Sequence, residues 1–380
     1  MTLWPNRLLK NSRVTAFPGN ANLPIGVEAG SHCSLTAKII GRANQRRSSK
    51  WRLITERMHT VARRCVANLS SEAAAKETMT DWLEYAAVAA ILKTLGILPQ
   101  RVARGVAASV AGAMYALLPK LQRTAEFNLR LAFPEWDDAR RKTVIRAMVR
   151  NLGWMAAEFA RLPQHTRENI EEVVILDGHE NFLEGQRRGK GVLYLTGHIG
   201  AWELSSFAHA LYGFPLHYMA RPLDNARVDA LVNSYRCLSG NRPIFKNESA
   251  RAVLKILREA GTVGILADQN TMPEEGVFVD FFGKTACTTT GIARIALHTD
   301  AAVVPGYAYW DEAMRKYRLR FEPPVELVRT GDSEQDVFAN TQKFAKVIEG
   351  IIRKHPEQWV WVHARWKMRP KGEPPLYDFL

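Results

Sequence analysis

The feature that most constrains the fold of this chain is an alternation of short apolar runs with helical stretches after Pro163. The apolar runs predict strands over residues 173–176, 192–196, 216–220, 262–268, 277–282 and 302–309, with an edge strand over 317–321. Helical spacing predicts helices over 201–211, 225–238, 248–260, 291–298 and 334–354. This alternation predicts an α/β fold whose central sheet is mostly parallel and is flanked by helices.

The N-terminal part of the chain has a different texture. Residues 79–162 carry helical patterns, whereas 1–78 show no long periodic pattern and only a loosely spaced candidate helix between 51 and 76. We predict three parts: 1–78 is a poorly ordered basic extension that need not belong to the functional protein, 79–162 is a helical membrane-associating segment, and 163–380 is the α/β domain. We expect 79–380 to form one structural unit.

The charge distribution argues against a nucleic-acid-binding protein. The net charge is +14, but residues 1–78 alone hold 13 Lys and Arg against 4 Asp and Glu. The rest of the chain is therefore only mildly basic, which suits anionic lipid headgroups or an acidic carrier protein. We expect no nucleic-acid partner.

The cysteines and the apolar runs bear on the cellular compartment, on metal binding and on membrane association. The four cysteines form no CxxC pair, which fits a reducing compartment and gives no metal site. No N-terminal signal peptide is visible, and no apolar run reaches the roughly 20 residues of a spanning helix. The short apolar runs 85–98 and 105–119 leave two alternatives open, a buried helix or a helix in the bilayer interface.

One motif at a predicted strand end carries chemistry. The strand over 192–196 runs into His198, and Glu203 follows five residues later in an H-x4-E pattern. About one such match is expected by chance in this composition, and His179 with Glu184 is a second one. Polar neighbours surround His179, whereas Gly197, Ile199 and Gly200 surround His198. We therefore take His198 as the candidate and His179 as the decoy.

The spacing has a geometric meaning. If His198 lies in the turn before a helix, Glu203 in the first turn can reach back to its ring, orient it and stabilise its protonated form. His198 is then a candidate general base for a hydroxyl group. The alternative is that His198 only caps the helix and Glu203 lies at its surface.

These residues resemble the lysophospholipid acyltransferase-like superfamily, and within it the late acyltransferases of lipid A biosynthesis. The resemblance covers roughly 79–367. It is carried by the motifs at 128–134 (NLRLAFP), 197–203 (GHIGAWE), 220–225 (ARPLDN), 267–269 (ADQ), 277–283 (VFVDFFG) and 361–367 (WVHARWK). A loose echo of the Pro-Glu-Gly motif of glycerolipid acyltransferases at 273–276 favours the lipid A branch.

The resemblance implies an enzyme and its site residues. His198 is implied as the base and Glu203 as its partner, with the backbone N–H groups of 197–200 as candidate donors to the oxyanion. Arg221 is implied as a phosphate contact, although it could instead pair with Asp224 or Asp229. Substrate-binding roles for Asp268, Gln269 and Thr289 are also expected; alternatively, Asp268 caps a turn and the threonines before Gly291 cap a helix.

The resemblance also implies partners. The donor is an acyl thioester on acyl carrier protein or coenzyme A, and the acceptor is a hydroxyl of a lipid A-type glycolipid precursor. The acyl chain would lie in an apolar tunnel. We expect no metal or other cofactor, and a peripheral location on the cytoplasmic face of the inner membrane. The alternatives are another acceptor, such as a mannosylated phosphatidylinositol or an aminolipid, or a non-catalytic basic lipid-binding protein on the same scaffold.

Overall fold

The fold is built around a seven-stranded sheet. The computed structural model describes residues 78–244 and 249–379, so the predicted extension, except for its last residue, and its candidate helix lie outside the described residues. The strands in the described part are β1 Val174–Asp177, β2 Val192–Thr196, β3 His217–Met219, β4 Arg242–Ile244, β5 Thr262–Leu266, β6 Gly276–Phe281, β7 Lys284–Thr289, β8 Ala302–Asp311 and β9 Lys316–Phe321.

The sheet is mostly parallel, as predicted. Its strand order is β1–β9–β8–β2–β5–β3–β4, and the five strands from β8 to β4 run parallel to one another. Strand β9 is antiparallel to β8, and β1 pairs in parallel with β9. The prediction that 317–321 forms an edge strand is therefore wrong. Its apolar pattern marks it as a strand, but the edge is taken by β1, whose pairing the pattern does not encode.

Three further strands differ from the sequence prediction. The predicted strand over 277–282 is not part of the sheet, because β6 pairs with β7 in a separate antiparallel hairpin. Strands β4 and β7 were not predicted. Their sequences, RPI and KTACTT, lack the apolar runs from which the other strands were read.

Helices precede the sheet and connect its strands. In the described residues they are α1 Met79–Ile97, α2 Gln100–Leu117, α3 Pro119–Ala132, α4 Asp138–Arg161, α5 His179–Arg187, α6 Trp202–Leu211, α7 Ala226–Cys237, α8 Ser249–Arg258, α9 Gly291–Thr299 and α10 Ser333–Lys354. Helix α4 begins after its N-cap residue Asp137, whose side chain accepts the Arg140 N–H. Helix α1 begins at Met79, because Thr78 and Asp81 form a capping box.

Helices α2 and α4 are joined by a buried ion pair. Arg104 Nε donates to Glu158 Oε1 at 2.7 Å, and Gln100 donates to the same oxygen at 3.0 Å. Glu158 is fully buried, so these donors compensate for its desolvation. No single helix in the described residues is long and apolar enough to cross a bilayer. The pair α2 and α3, bent by 93°, meets that criterion jointly, by length and composition alone.

The chain end packs back onto the helical part. After α10, a short 3₁₀ turn at Pro356–Gln358 leads into a segment, 359–379, that we call the C-terminal strap. The fully buried Asn128 amide donates to the main-chain oxygens of Trp361 and His363, at 2.6 and 2.8 Å, and its oxygen accepts the Tyr377 hydroxyl at 2.6 Å. Two sequence motifs more than 200 residues apart thus form one contact.

Candidate active site

The candidate site lies where adjacent parallel strands end. Strands β2 and β5 are in register, with Thr196 opposite Leu266. His198 and Asp268 each follow two residues after this pair, so their side chains emerge side by side at the carboxyl edge of the sheet. This is the edge at which open α/β sheets bind ligands.

Asp268 binds His198 at two points. Its Oδ1 lies 2.9 Å from the His198 Nδ1, and its Oδ2 accepts the His198 main-chain N–H at 2.7 Å. An ionised carboxylate only accepts hydrogen bonds, so the ring proton lies on Nδ1 and the lone pair is on Nε2. The His198 side chain is 22% exposed and that of Asp268 only 1%. The pair therefore combines a buried acid with a base that reaches the surface.

The two groups shift each other's pKa. Burial alone lowers the pKa of His198, but the hydrogen bond and charge of Asp268, together with the charge of Glu203, outweigh burial and raise it above its ordinary value. Burial raises the pKa of Asp268, and the opposing bonds from His198 and Trp359 bring it below its ordinary value. Asp268 is thus ionised at neutral pH and stabilises the protonated form of His198.

Glu203 does not occupy the place beside the ring that the motif suggested. It lies in the first turn of α6, and both of its carboxylate oxygens accept from the guanidinium of Arg236 on α7, one of them from Nε at 2.9 Å. Within the described residues, the hydrogen-bonded acid of His198 is Asp268. Glu203, five residues after His198 and on a helix, points away from the His198 ring, whereas the end of β5, which carries Asp268, lies beside that ring. Glu203 acts on His198 through its charge.

Two glycines permit the close approach of these elements. A Cβ on Gly197 would lie about 3.0 Å from the Asp268 carboxylate, and one on Gly200 would lie 2.0 Å from the main-chain oxygen of Ala308. Gly200 also has a positive φ of 56°, which other residues rarely adopt. Gly197 and Gly200 therefore allow this turn to pack against the end of β5 and against β8.

Most N–H groups of this turn already donate to other protein atoms. The His198 N–H donates to Asp268, that of Ile199 to the Gly197 oxygen at 2.8 Å, and that of Gly200 to the Gln358 oxygen at 2.7 Å. Three of the four backbone donors expected for an oxyanion are therefore satisfied by the protein itself. Their assignment as oxyanion donors is not supported.

Gln269 lies directly against the base. Its amide nitrogen is almost equidistant from the two ring nitrogens, 3.3 Å from the His198 Nε2 and 3.4 Å from Nδ1, and the residue is exposed. This amide is a donor beside the ring, and no backbone hydrogen bond of the turn has to be broken to use it. Of the predicted substrate-binding residues, Asp268 and Gln269 are thus the two that the structure brings to His198.

Arg221 and Thr289 lie elsewhere. Arg221 follows β3, the neighbour of β5, and its side chain is 84% exposed; it approaches Asp224 at 3.2 Å, one of the alternatives foreseen. Thr289 ends β7, and its hydroxyl accepts the Gly291 N–H at 3.3 Å, ahead of α9. The N-cap of α9 is Thr290, whose own side chain makes no capping bond.

The second H-x4-E match lies away from this site. His179 opens α5, and its ring lies in an edge-on contact 4.9 Å from that of Phe214, centroid to centroid, while burial lowers its pKa. Glu184 pairs with Arg188 at 3.1 Å. Among the described residues, no group of three or more His, Cys, Asp or Glu side chains is arranged to hold a metal ion.

Sequence reasoning missed two residues of the site: Arg236 holds Glu203, and Trp359 donates its indole N–H to Asp268 Oδ2 at 2.8 Å. His363, which lies in the motif at 361–367, makes a structural contact, because its Nε2 accepts the Asn270 N–H at 3.0 Å. Burial lowers the pKa of His363 to about 4, so this ring is neutral. The aromatic run around Trp359 was visible in the sequence, but its contact with the end of β5 depends on the fold.

Comparisons with known proteins identify the family of this chain. A family model described as bacterial lipid A biosynthesis acyltransferase matches residues 72–368. A lipid A biosynthesis acyltransferase of Haemophilus influenzae is 27% identical over 68% of this chain and 80% of its own length. In Escherichia coli, the lipid A myristoyltransferase is 26% identical over 77% and 88% of the two chains. The E. coli lipid A lauroyltransferase is 28% identical over 66% and 80%.

The match spans most of the chain and includes the whole carboxyl edge at which His198, Asp268 and Arg221 lie. The chain is an acyltransferase and belongs to the bacterial lipid A biosynthesis acyltransferase family.

Proposed function

We propose that this acyltransferase moves a fatty acyl group from a thioester, on acyl carrier protein or coenzyme A, to a hydroxyl of a lipid A-type glycolipid precursor, with His198 as the general base. The observation that carries the mechanism is the pairing of the His198 Nδ1 with the buried Asp268 carboxylate, 2.9 Å away. This contact leaves the Nε2 lone pair directed at the surface, where a hydroxyl can reach it.

The proposed step balances in protons and bonds. The His198 Nε2 takes the proton of the acceptor hydroxyl as its oxygen attacks the thioester carbonyl, forming a C–O bond. Collapse of the tetrahedral intermediate breaks the C–S bond, and the leaving thiolate takes the proton back from the imidazolium. Asp268 stabilises the imidazolium in between without taking its proton. No acyl-enzyme forms, because the acceptor oxygen itself is the nucleophile.

The developing oxyanion needs a donor, and Gln269 is the candidate. Three of the four N–H groups of the turn after β2 are engaged, whereas the Gln269 amide lies 3.3 Å from the reacting nitrogen and at the surface. In the proposed step, a rotation of the Gln269 side chain brings its N–H toward the thioester oxygen. Such a donor acts on charge that exists only in the transition state.

Glu203 supports the base without contacting it. Its carboxylate is fixed by Arg236, and its negative charge favours the protonated ring that forms during the reaction. The dyad foreseen from the motif thus becomes a triad in this proposal: His198 as base, Asp268 as its hydrogen-bonded acid and Glu203 as a second, charge-only partner.

The rim of the site suits an amphipathic acceptor. Arg221 presents an exposed guanidinium at the end of β3, where an acceptor phosphate would displace the weak, solvent-exposed contact with Asp224. Four apolar side chains near the same strand ends are more than one-third exposed: Met219, Leu223, Leu266 and Met272. Together they offer a charged contact for a headgroup and an apolar one for acyl chains. The tunnel for the donor chain stays a prediction.

The membrane is the proposed location of this reaction. Helix α2 exposes an apolar stripe, Val102, Val106, Val110, Met114 and Leu117, at spacings of three and four residues. Exposed basic residues flank it: Arg101, Lys120 and Arg123. An apolar helical face bordered by cations is typical of a helix that lies in the interface of an anionic bilayer. We place it on the cytoplasmic face of the inner membrane, where acyl carrier protein and coenzyme A are found.

An acyl-transfer assay tests the proposal. The full chain is incubated with a purified lipid A precursor and, in separate reactions, acyl carrier protein and coenzyme A thioesters. The wild type is compared with His198→Ala and with His298→Ala, a histidine of α9 outside the site. Product from the wild type and the His298 variant, with a loss of several orders of magnitude in His198→Ala, supports it. Undiminished product in His198→Ala overturns the mechanism. Absence of product from the wild type with either donor overturns the proposed choice of substrates.

A further inference from the structure

The carboxylate that orients the base has a third donor. Oδ2 of Asp268 accepts the indole N–H of Trp359 at 2.8 Å, in addition to the His198 main-chain N–H at 2.7 Å. Trp359 is 1% exposed, so water does not replace this bond. The carboxylate is therefore held in one orientation, with Oδ2 occupied by two donors and Oδ1 facing the His198 ring.

Trp359 belongs to a segment that also holds the other side of the catalytic turn. Its backbone forms an antiparallel bridge with Ile199, and the oxygen of the preceding Gln358 accepts the Gly200 N–H at 2.7 Å. The Gln358 side chain in turn bonds the main chain of Trp310 at the end of β8. The start of the strap thus touches both the turn that carries the base and the acid that orients it.

We propose that Trp359 is a positioning residue for acyl transfer, whose indole N–H fixes the Asp268 carboxylate in the plane that orients His198. The proposal rests on the proposed function, because it assumes that His198 is the base. Hydrogen bonds to the carboxylate of a histidine–carboxylate unit set its direction and its basicity, as outer-sphere partners do at metal sites. Trp359 contacts neither reacting atom and acts through Asp268.

The chain contains a matched control for this indole. Trp361 is also fully buried, and its Nε1 donates to the Pro356 oxygen at 2.6 Å rather than to the acid. The two rings pack edge to face, with centroids 4.5 Å apart. Trp359→Phe and Trp361→Phe each remove one buried indole N–H from the same cluster, so their stability losses should be similar. Only the first removes a donor from Asp268.

Steady-state kinetics separate the two variants. In Trp359→Phe we expect kcat to fall roughly 10- to 100-fold with KM little changed. Removal of the donor also concentrates the negative charge on Oδ1, which favours the imidazolium, so the acid limb of kcat/KM should move to higher pH. Trp361→Phe should show neither effect. Equal kcat values and equal acid limbs in the two variants would overturn the proposal.

A measurement on the unmutated chain covers the case in which Trp359→Phe does not fold. In ¹⁵N-labelled protein, the indole Nε1–H resonance of Trp359 should shift with pH at the midpoint of the His198 ring titration, while that of Trp361 should not. This readout needs no substrate, so it is separate from any failure of the acyl-transfer assay. If the chemical shift of the Trp359 Nε1–H did not change as His198 titrates, the coupling would be refuted.

Discussion

Asp268 holds His198 at both the ring and the main chain, with its two oxygens 2.9 Å from Nδ1 and 2.7 Å from the backbone nitrogen. One carboxylate therefore fixes the rotamer of the base, its tautomer and the turn that carries it. Because the two residues follow paired positions of β2 and β5, any shift between these strands moves the base relative to its acid. The sheet register itself is part of the catalytic geometry.

This relationship makes Asp268→Asn informative. Oδ2 accepts two N–H donors, so an asparagine must place its oxygen there and its NH₂ group toward the ring. The His198 Nδ1 then has to accept, and the ring proton moves to Nε2, the atom that must take the proton of the hydroxyl. We expect kcat to fall about 10⁴-fold, as for the wrong tautomer in serine proteases.

The control for this variant is Asp300→Asn, at the exposed end of α9, where Asp300 pairs with Arg329 away from the site. It should leave kcat unchanged. A thermal melt of both variants distinguishes a catalytic loss from unfolding. A kcat of Asp268→Asn within a few-fold of the wild type would rule out Asp268 as the orienting acid.

Part of this site could be predicted from the sequence, and the reason is local. Strand β2 was placed at its observed bounds, and the His198 turn follows from Gly197 and Gly200, which no other residue type replaces easily. His198 therefore stands out in a single sequence. The parallel character of the sheet was predictable for the same reason, because each strand and helix carries its own periodicity.

The partners of His198 could not be predicted in the same way. Asp268 reaches His198 across 70 residues through the sheet register, and Trp359 reaches Asp268 across another 91 residues through the path of the strap. Glu203, close in sequence, is drawn to Arg236 because a bidentate guanidinium contact exceeds what a ring at that angle can offer. The spacing of residues within one helix or strand can be recognised in the sequence, whereas contacts between elements can be known only from the folded structure.

Glu203→Gln tests the charge-only role. Glu203 helps to raise the pKa of His198, so its neutralisation should lower that pKa. The base must be neutral to act, and activity is lost as pH falls through its pKa. The acid limb of kcat/KM should therefore lie above the ordinary histidine value of about 6.5 in the wild type and move to lower pH in Glu203→Gln. We expect a kcat loss of roughly 10-fold, because the stabilisation of the imidazolium is reduced.

A double variant separates this role from simple structure. Glu203→Gln leaves the guanidinium of Arg236 without its carboxylate, which we expect to cost about 1–3 kcal/mol of unfolding free energy. In Glu203→Gln/Arg236→Gln the unpaired charge is gone, so the melting temperature should recover while the acid limb stays low. Recovery of both the melting temperature and the wild-type acid limb would mean that Glu203 serves only to hold Arg236.

Gln269→Leu tests the oxyanion donor. The substitution keeps a similar size and removes the amide that lies 3.3 Å from the His198 Nε2. We expect kcat to fall about 10²- to 10³-fold with little change in KM, since the lost hydrogen bond forms only in the transition state. Gln335→Leu, at an exposed position of α10, is the control. A rise in KM at constant kcat in Gln269→Leu would instead assign Gln269 to substrate binding.

The apolar stripe of α2 gives a prediction about the membrane. Val106 and Val110 are 43% and 54% exposed and lie one helical turn apart, so a bilayer interface would cover both side chains. Each buried valine contributes about 1.5 kcal/mol. Val106→Ser/Val110→Ser should therefore weaken binding to vesicles that contain anionic lipid by about 100-fold. The flotation is done in roughly 0.5 M salt, which screens the basic residues of 1–78, so that apolar contact dominates.

The control for this variant is Phe338→Ser, which removes a similarly exposed apolar side chain from α10 and should float like the wild type. Equal flotation of the double valine variant and the wild type would place the contact with the bilayer on another face, and would remove the reason to orient α2 toward the lipid.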